Sequence, residues 1–160
     1  MSDVSTTDKP ARPFSLYLLI LTQLCFAGGG LQGGWRLISD PTGRCLGLPA
    51  ELLNSFPVHN FLFPGIFILT MFGLAPLVLA YALWINLQIP LAQTLVKGYH
   101  WAWGASVGLS LLLLLWTGIL IGMVGYRVHY QLIDGLMALL MIKLQLLPSV
   151  RKAMIRPESP

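Results

Sequence analysis

Asp134 is the residue best placed to do chemistry, because it is a carboxylate inside an otherwise apolar run, Tyr130–Leu147. A charge at the centre of a membrane span costs about 2.5–3.5 kcal/mol, and less near an interface, so such a residue usually faces a partner or water. Counting about 1.5 Å per residue from Tyr130 puts Asp134 about 6–8 Å inside the end of the run. Lys143 is not its partner: nine residues on, at about 100° each, it falls on the opposite face. Arg127, Gln131, Asp134, Met141 and Gln145 share one face, which is expected to point into a helix bundle. Arg36, Arg44 and Arg127 are the candidate counter-ions, and Asp40 belongs to the same polar region. The chemistry expected is a structural ion pair that pins an external loop to the bundle. A proton or ion site is one alternative, which a water-filled cleft reaching Asp134 with no arginine partner would favour; a plain headgroup-level carboxylate is the other.

Other chemistry is sparse. His59 and His129 are expected at one end of the bundle and His100 at the other. A haem or metal site would need the first two to converge, with Asp134 for the metal. Cys25 and Cys45 form no C-x-x-C pair and read as two independent thiols. Ser39, Ser55, Ser106 and Ser110 have no paired base, and Thr70, Ser106, Ser110 and Thr117 are expected to hydrogen-bond within or between helices. No cofactor and no metal are expected.

The elements that position these residues follow from hydropathy. A hydrocarbon core about 30 Å thick needs about 20 helical residues. Four runs approach that length, Phe14–Gly34, Phe61–Ile85, Trp101–Val124 and Tyr130–Leu147, in a chain 56% hydrophobic and 10% charged with mean hydropathy +0.73. The fold class expected is all-α, a four-helix transmembrane bundle forming one domain over residues 14–147. Residues 1–13 read as a disordered cytoplasmic tail and 148–160 as a basic one. Lys9 and Arg12 before the first run, with Cys25-Phe26-Ala27 inside it, raise the question of a signal peptide. The run is longer than the usual signal core, so a retained first helix is expected.

Glycine clusters mark close helix approach. Gly29/Gly33 or Gly30/Gly34 in the first run, and Gly104/Gly108 and Gly118/Gly122 in the third, have small-x-x-x-small spacing. Packing within one subunit is the expectation and a homodimer seam the alternative. Pro64 falls in the first turn of the second span, where proline is tolerated, whereas Pro76 is internal and predicts a kink. The short segment Gly125–His129 makes the third and fourth helices antiparallel neighbours.

Orientation follows from the cations. With four spans both termini share a side, which holds Lys9, Arg12, Lys97, Arg151, Lys152 and Arg156, against Arg36, Arg44 and Arg127 on the other. Six against three puts both termini in the cytoplasm of a plasma or inner membrane. The net charge of +4 sits at helix ends, where it meets headgroups, and does not indicate nucleic acid.

Residues 35–60 form the outer loop. Asp40-Pro41-Thr42-Gly43 suits a type I turn and predicts a short hairpin between residues 36–39 and 44–47. Pro49 and Glu51 suit the start of a short interfacial helix over 49–55. Gly33-Gly34, Leu37, Asp40-Pro41-Thr42-Gly43, Leu46-Gly47-Leu48-Pro49, Leu53, Phe61 and Pro64-Gly65 resemble a pattern in uncharacterised prokaryotic four-span membrane proteins. Phe56-Pro57 departs from that pattern, which carries Pro-Phe. The resemblance implies the topology and no activity. The expected role is a non-enzymatic accessory, scaffold or envelope-associated protein, with the bilayer and a membrane protein or second copy as partners. The alternatives are a small transporter or channel component using Asp134, then an enzyme acting on lipid or quinone.

Overall fold

The computed structural model describes residues 12–48, 59–89, 92, 96, 98–125 and 129–155. Within them every regular element is helical, and a single antiparallel β-bridge joins Tyr99 to Ile155. We label the helices α1 (Phe14–Ser39), α2 (Leu62–Ile85), α3 (Trp101–Val124), α4 (His129–Leu146) and α5 (Pro148–Met154). Three of the described helices are long and apolar enough to cross a membrane: α1, α2 and Trp101–Gly122 of α3. A fourth crossing requires α4 and α5 to count together, and they meet at a 64° bend. The reason is composition: Gln131, Asp134, Lys143 and Gln145 dilute the fourth apolar run.

The first helix runs further than its apolar stretch. Nothing in Arg36-Leu37-Ile38-Ser39 stops a helix; the first breaker is Asp40-Pro41, since a residue before proline is driven out of the helical region. Asp40 accordingly adopts φ −133°, ψ 84°. Residues 36–39 are thus the last turn of α1, and Arg44–Leu46 form a 3-10 turn, so the predicted hairpin is replaced by a helix end and a compact turn. The predicted interfacial helix lies outside the described residues.

α1 and α2 pack antiparallel through glycine. A Cβ on Gly30 would stand 2.1 Å from the Phe72 carbonyl oxygen, and one on Gly34 would stand 2.6 Å from the Leu69 backbone nitrogen. Pro76 has no N–H to offer the Phe72 carbonyl four residues back. The helix accommodates this by π-winding over Ile68–Leu74 and continues to Ile85 as one element. α1, α2, α3 and α4 share one apolar core, to which α5 contributes Val150 and Met154. The 148–155 segment is therefore a folded cap: the His100 backbone N–H donates to the Met154 carbonyl at 2.8 Å, and Ser15 and Ser149 share a 2.7 Å hydrogen bond.

Candidate functional site

At the end of the molecule that holds the 40–48 turn, a groove of about 490 Å³ is lined by α1 and α4, with residues of α2 and α3 behind them, and by Leu46, Leu48 and Phe61. α1 supplies Gly29 and Gly33 to it, and with no side chains there the helix face itself is the recess. Phe26, Ile68, Phe72, Trp116 and Met137 give it apolar walls, while Gln32, Arg36, Tyr130, Gln131 and Asp134 supply polar groups.

Asp134 and Arg36 thus line one groove, but they form no ion pair with each other. Among the described residues Asp134 has neither a hydrogen-bond nor an ion-pair partner. The ion pair expected from the sequence is absent there, and Arg127 lies outside the described residues. The stripe shared by Gln131, Met141 and Gln145 is buried, with Asp134 half-buried beside it. Lys143 is exposed.

The levels of the two charges follow from packing. Gly135 stands against Thr117, and the neighbouring Trp116 ring packs on Phe67 and Phe72. Phe72 in turn touches Gly30. Asp134 therefore sits at about the level of Gly30, with Arg36 six residues, or about 9 Å, nearer the helix end.

Asp40 does different work from that expected. Its Oδ1 accepts from the Thr42 hydroxyl at 2.5 Å and the Thr42 N–H at 3.1 Å, and its Oδ2 accepts from the Cys45 N–H at 3.0 Å. The Thr42 hydroxyl first, then the Cys45 N–H, holds its carboxyl below the ordinary 3.8, with a small contribution from Arg44. Asp40 and Arg44 therefore organise the turn and do not reach Asp134. The turn is tied down by the Phe61 N–H donating to the Pro41 carbonyl at 2.9 Å, and by Phe61 packing on Gly43 and Leu37.

The glycine assignment also needs correction. Gly29, Gly33, Gly108, Gly118 and Gly122 have nothing within 4 Å of an added Cβ, whereas one on Gly104 would stand 2.6 Å from a Val96 methyl. Spacing alone does not choose between two registers on α1; the one that meets α2 is Gly30/Gly34, which leaves Gly29/Gly33 to shape the groove.

A second polar feature is made of neutral residues: Ser106 and Ser110 hydrogen-bond within and between helices as expected, but the glutamines they meet were not assigned to them. Gln23 of α1 donates from Nε2 to Ser106 Oγ at 2.8 Å, and Gln145 of α4 donates from Nε2 to Ser110 Oγ at 3.0 Å. Each serine hydroxyl donates back along α3, to the carbonyls of Ala102 and Ser106. All four side chains are fully buried, and both glutamine Oε1 atoms lack protein partners. Exchanging O and N in either amide leaves an orphan nitrogen instead. The signal available in sequence was an amide, Gln23, in mid-run, plus two serines one helical turn apart.

The remaining candidates do not converge. No group of three or more His, Cys, Asp or Glu among the described residues could hold a metal. His59 and His129 are exposed, whereas His100 is buried and caps α3, its Nδ1 accepting from the Ala102 N–H at 3.2 Å. Cys25, on the groove wall, and Cys45 are both free thiols. The geometry defines a helical protein with a laterally placed amphipathic groove. No known protein family, curated protein or solved structure matches the chain.

Proposed function

We propose that this chain is a multi-pass protein of a plasma or inner membrane, with four spans in one bundle, the broken α4–α5 pair being the fourth, and both termini cytoplasmic. Its role in this reading is non-enzymatic: an accessory, envelope-associated protein that holds an amphiphile drawn sideways from the outer leaflet. The observation that carries the reading is the groove between α1 and α4, whose walls are apolar and whose polar groups gather toward one end. Ligand sites are generally concave, mostly apolar and about 300–1,000 Å³, with a few placed polar groups. A site of this kind on a membrane helix pair takes its ligand from the bilayer.

The test is to fill the recess. Gly33→Leu places a side chain where an added Cβ meets nothing within 4 Å, so the bundle tolerates it while the groove closes. Native mass spectrometry of the wild type from mild detergent should show a retained lipid, and Gly33→Leu should lose it. Equal lipid occupancy in both would remove the reading.

A second reading is favoured by one observation, that Asp134 has no partner among the described residues. An unpaired intramembrane carboxylate suits a proton or ion pathway. The apolar walls weigh against a hydrated path, and flux into proteoliposomes decides. Flux abolished by Asp134→Asn in a folded protein would establish transport; the amphiphile reading expects no flux in either.

A further inference from the structure

The order of chemistry along the groove specifies its ligand. Arg36 stands nearest the end of the bundle, exposed. Asp134 lies about 9 Å deeper by the helical rise, half-buried and without a partner among the described residues. Below and beside it the walls are the rings of Phe26, Phe72 and Trp116. A ligand matching this sequence has an anion first, a hydrogen-bond donor second and hydrocarbon third. We propose that the groove is a site for one chain of a phosphate-headed lipid that carries a hydroxyl or amide N–H donor at the junction of head and tail. The inference rests on the groove reading above and adds the chemistry of the occupant.

Each contact has a physical reason. A guanidinium presents paired N–H donors that match phosphate oxygens, and charge-assisted bonds of this kind are about twice as strong as neutral ones. Among the described residues the Arg36 guanidinium has no hydrogen-bond or ion-pair partner, and the Asp40 N–H at 2.9 Å and the Cys45 Sγ at 3.3 Å both bond to its backbone carbonyl. A carboxylate is acceptor-only when ionised, so Asp134 takes a donor from the ligand and discriminates against a lipid that lacks one. A cationic head would meet Arg36 first and be repelled. At Gly29 and Gly33 nothing lies within 4 Å of an added Cβ, which leaves room along α1 for a chain to lie.

The experiment measures binding of four probes with matched acyl chains to the full chain in nanodiscs: lysophosphatidylglycerol, its 2-deoxy analogue, a neutral monoacylglycerol and an alkyltrimethylammonium. The wild type should prefer lysophosphatidylglycerol to the neutral and cationic probes by about tenfold or more, the scale of one charged hydrogen bond. It should also prefer it to the deoxy analogue. Arg36→Gln should abolish the preference for anion, with Arg36→Lys retaining part of it. Asp134→Leu should abolish only the preference for the hydroxyl. Wild-type protein that binds all four probes equally, while Gly33→Leu blocks them all, overturns this inference and leaves the groove reading standing. Binding that Gly33→Leu does not touch overturns both. Because wild-type selectivity is itself a readout, a variant that fails to fold leaves the test intact.

Discussion

At the scale of single residues, the spacing of Asp40, Thr42 and Gly43 foretold a turn but not what the carboxylate does inside it. Three donors converge on Asp40, and the ionised form is the one they stabilise. Its carboxyl is held below 3.8, so the turn's extra stability is complete above that value and is lost as pH falls through the lowered folded value. Amide exchange at Thr42 and Cys45, corrected for intrinsic rates, should therefore speed up on acidification in the wild type. Asp40→Asn should show no such pH dependence; a wild type equally flat would contradict the account. The glycines give a second contrast at this scale. Gly30→Ala drives a methyl into the Phe72 carbonyl and should cost about 1–3 kcal/mol, as overpacking does. Gly28 has open space around it, so Gly28→Ala should fall within about 1 kcal/mol on the stabilising side, through helix propensity. Thermal unfolding in detergent separates them. Sequence could not make this distinction, because Gly29 and Gly30 differ only in which way about 100° of helical rotation points them.

At the scale of elements, the strong signals were long apolar runs, and the weak ones were their ends and interruptions. α1 outlasts its apolar stretch because Arg36–Ser39 contain no breaker, and hydropathy does not register helical continuity through polar residues. Pro76 was legible as a disturbance, but the form it takes was not: the turns before it rewind as a π segment over Ile68–Leu74. What ties the elements together was less legible still. Gln23, Ser106, Ser110 and Gln145 join α1, α3 and α4 through neutral hydrogen bonds that no charge pattern reveals. Interhelical hydrogen bonds in membranes average about 0.6 kcal/mol in double-mutant cycles, with a maximum of about 1.7. A cycle pairing Gln23→Leu with Ser106→Ala should return a coupling in that range. Ser106→Ala alone should cost more, about 1–3 kcal/mol, because it leaves both polar ends of a fully buried amide without partners. A neutral Ser106→Ala would mean that the Gln23 amide finds another partner.

At the scale of the whole molecule, polarity is arranged inside out. Leu21, Leu115, Leu136 and Leu139 are each more than half exposed, whereas Gln23, Ser106, Ser110 and Gln145 are fully buried. In water that distribution would be costly on both counts; in hydrocarbon the leucines meet like solvent and the amides find one another. The same logic fixes where charge can sit. Arg36 and Arg44 belong to the end with the 40–48 turn, and Arg12, Arg151 and Lys152 to the end where α5 folds over Tyr99 and His100. The proposed orientation follows from that asymmetry, and the two native thiols test it without added labels. Both thiols are exposed, Cys45 on the turn and Cys25 at the groove wall, and the proposed four-span arrangement puts Cys25 inside the hydrocarbon. A membrane-impermeant maleimide applied to intact cells should label Cys45 and leave Cys25 unreacted. Cys45→Ser should abolish labelling, and Cys25→Ser should not change it. Labelling of Cys45 only after the membrane is breached would invert the orientation, and with it the leaflet from which the groove can take its lipid.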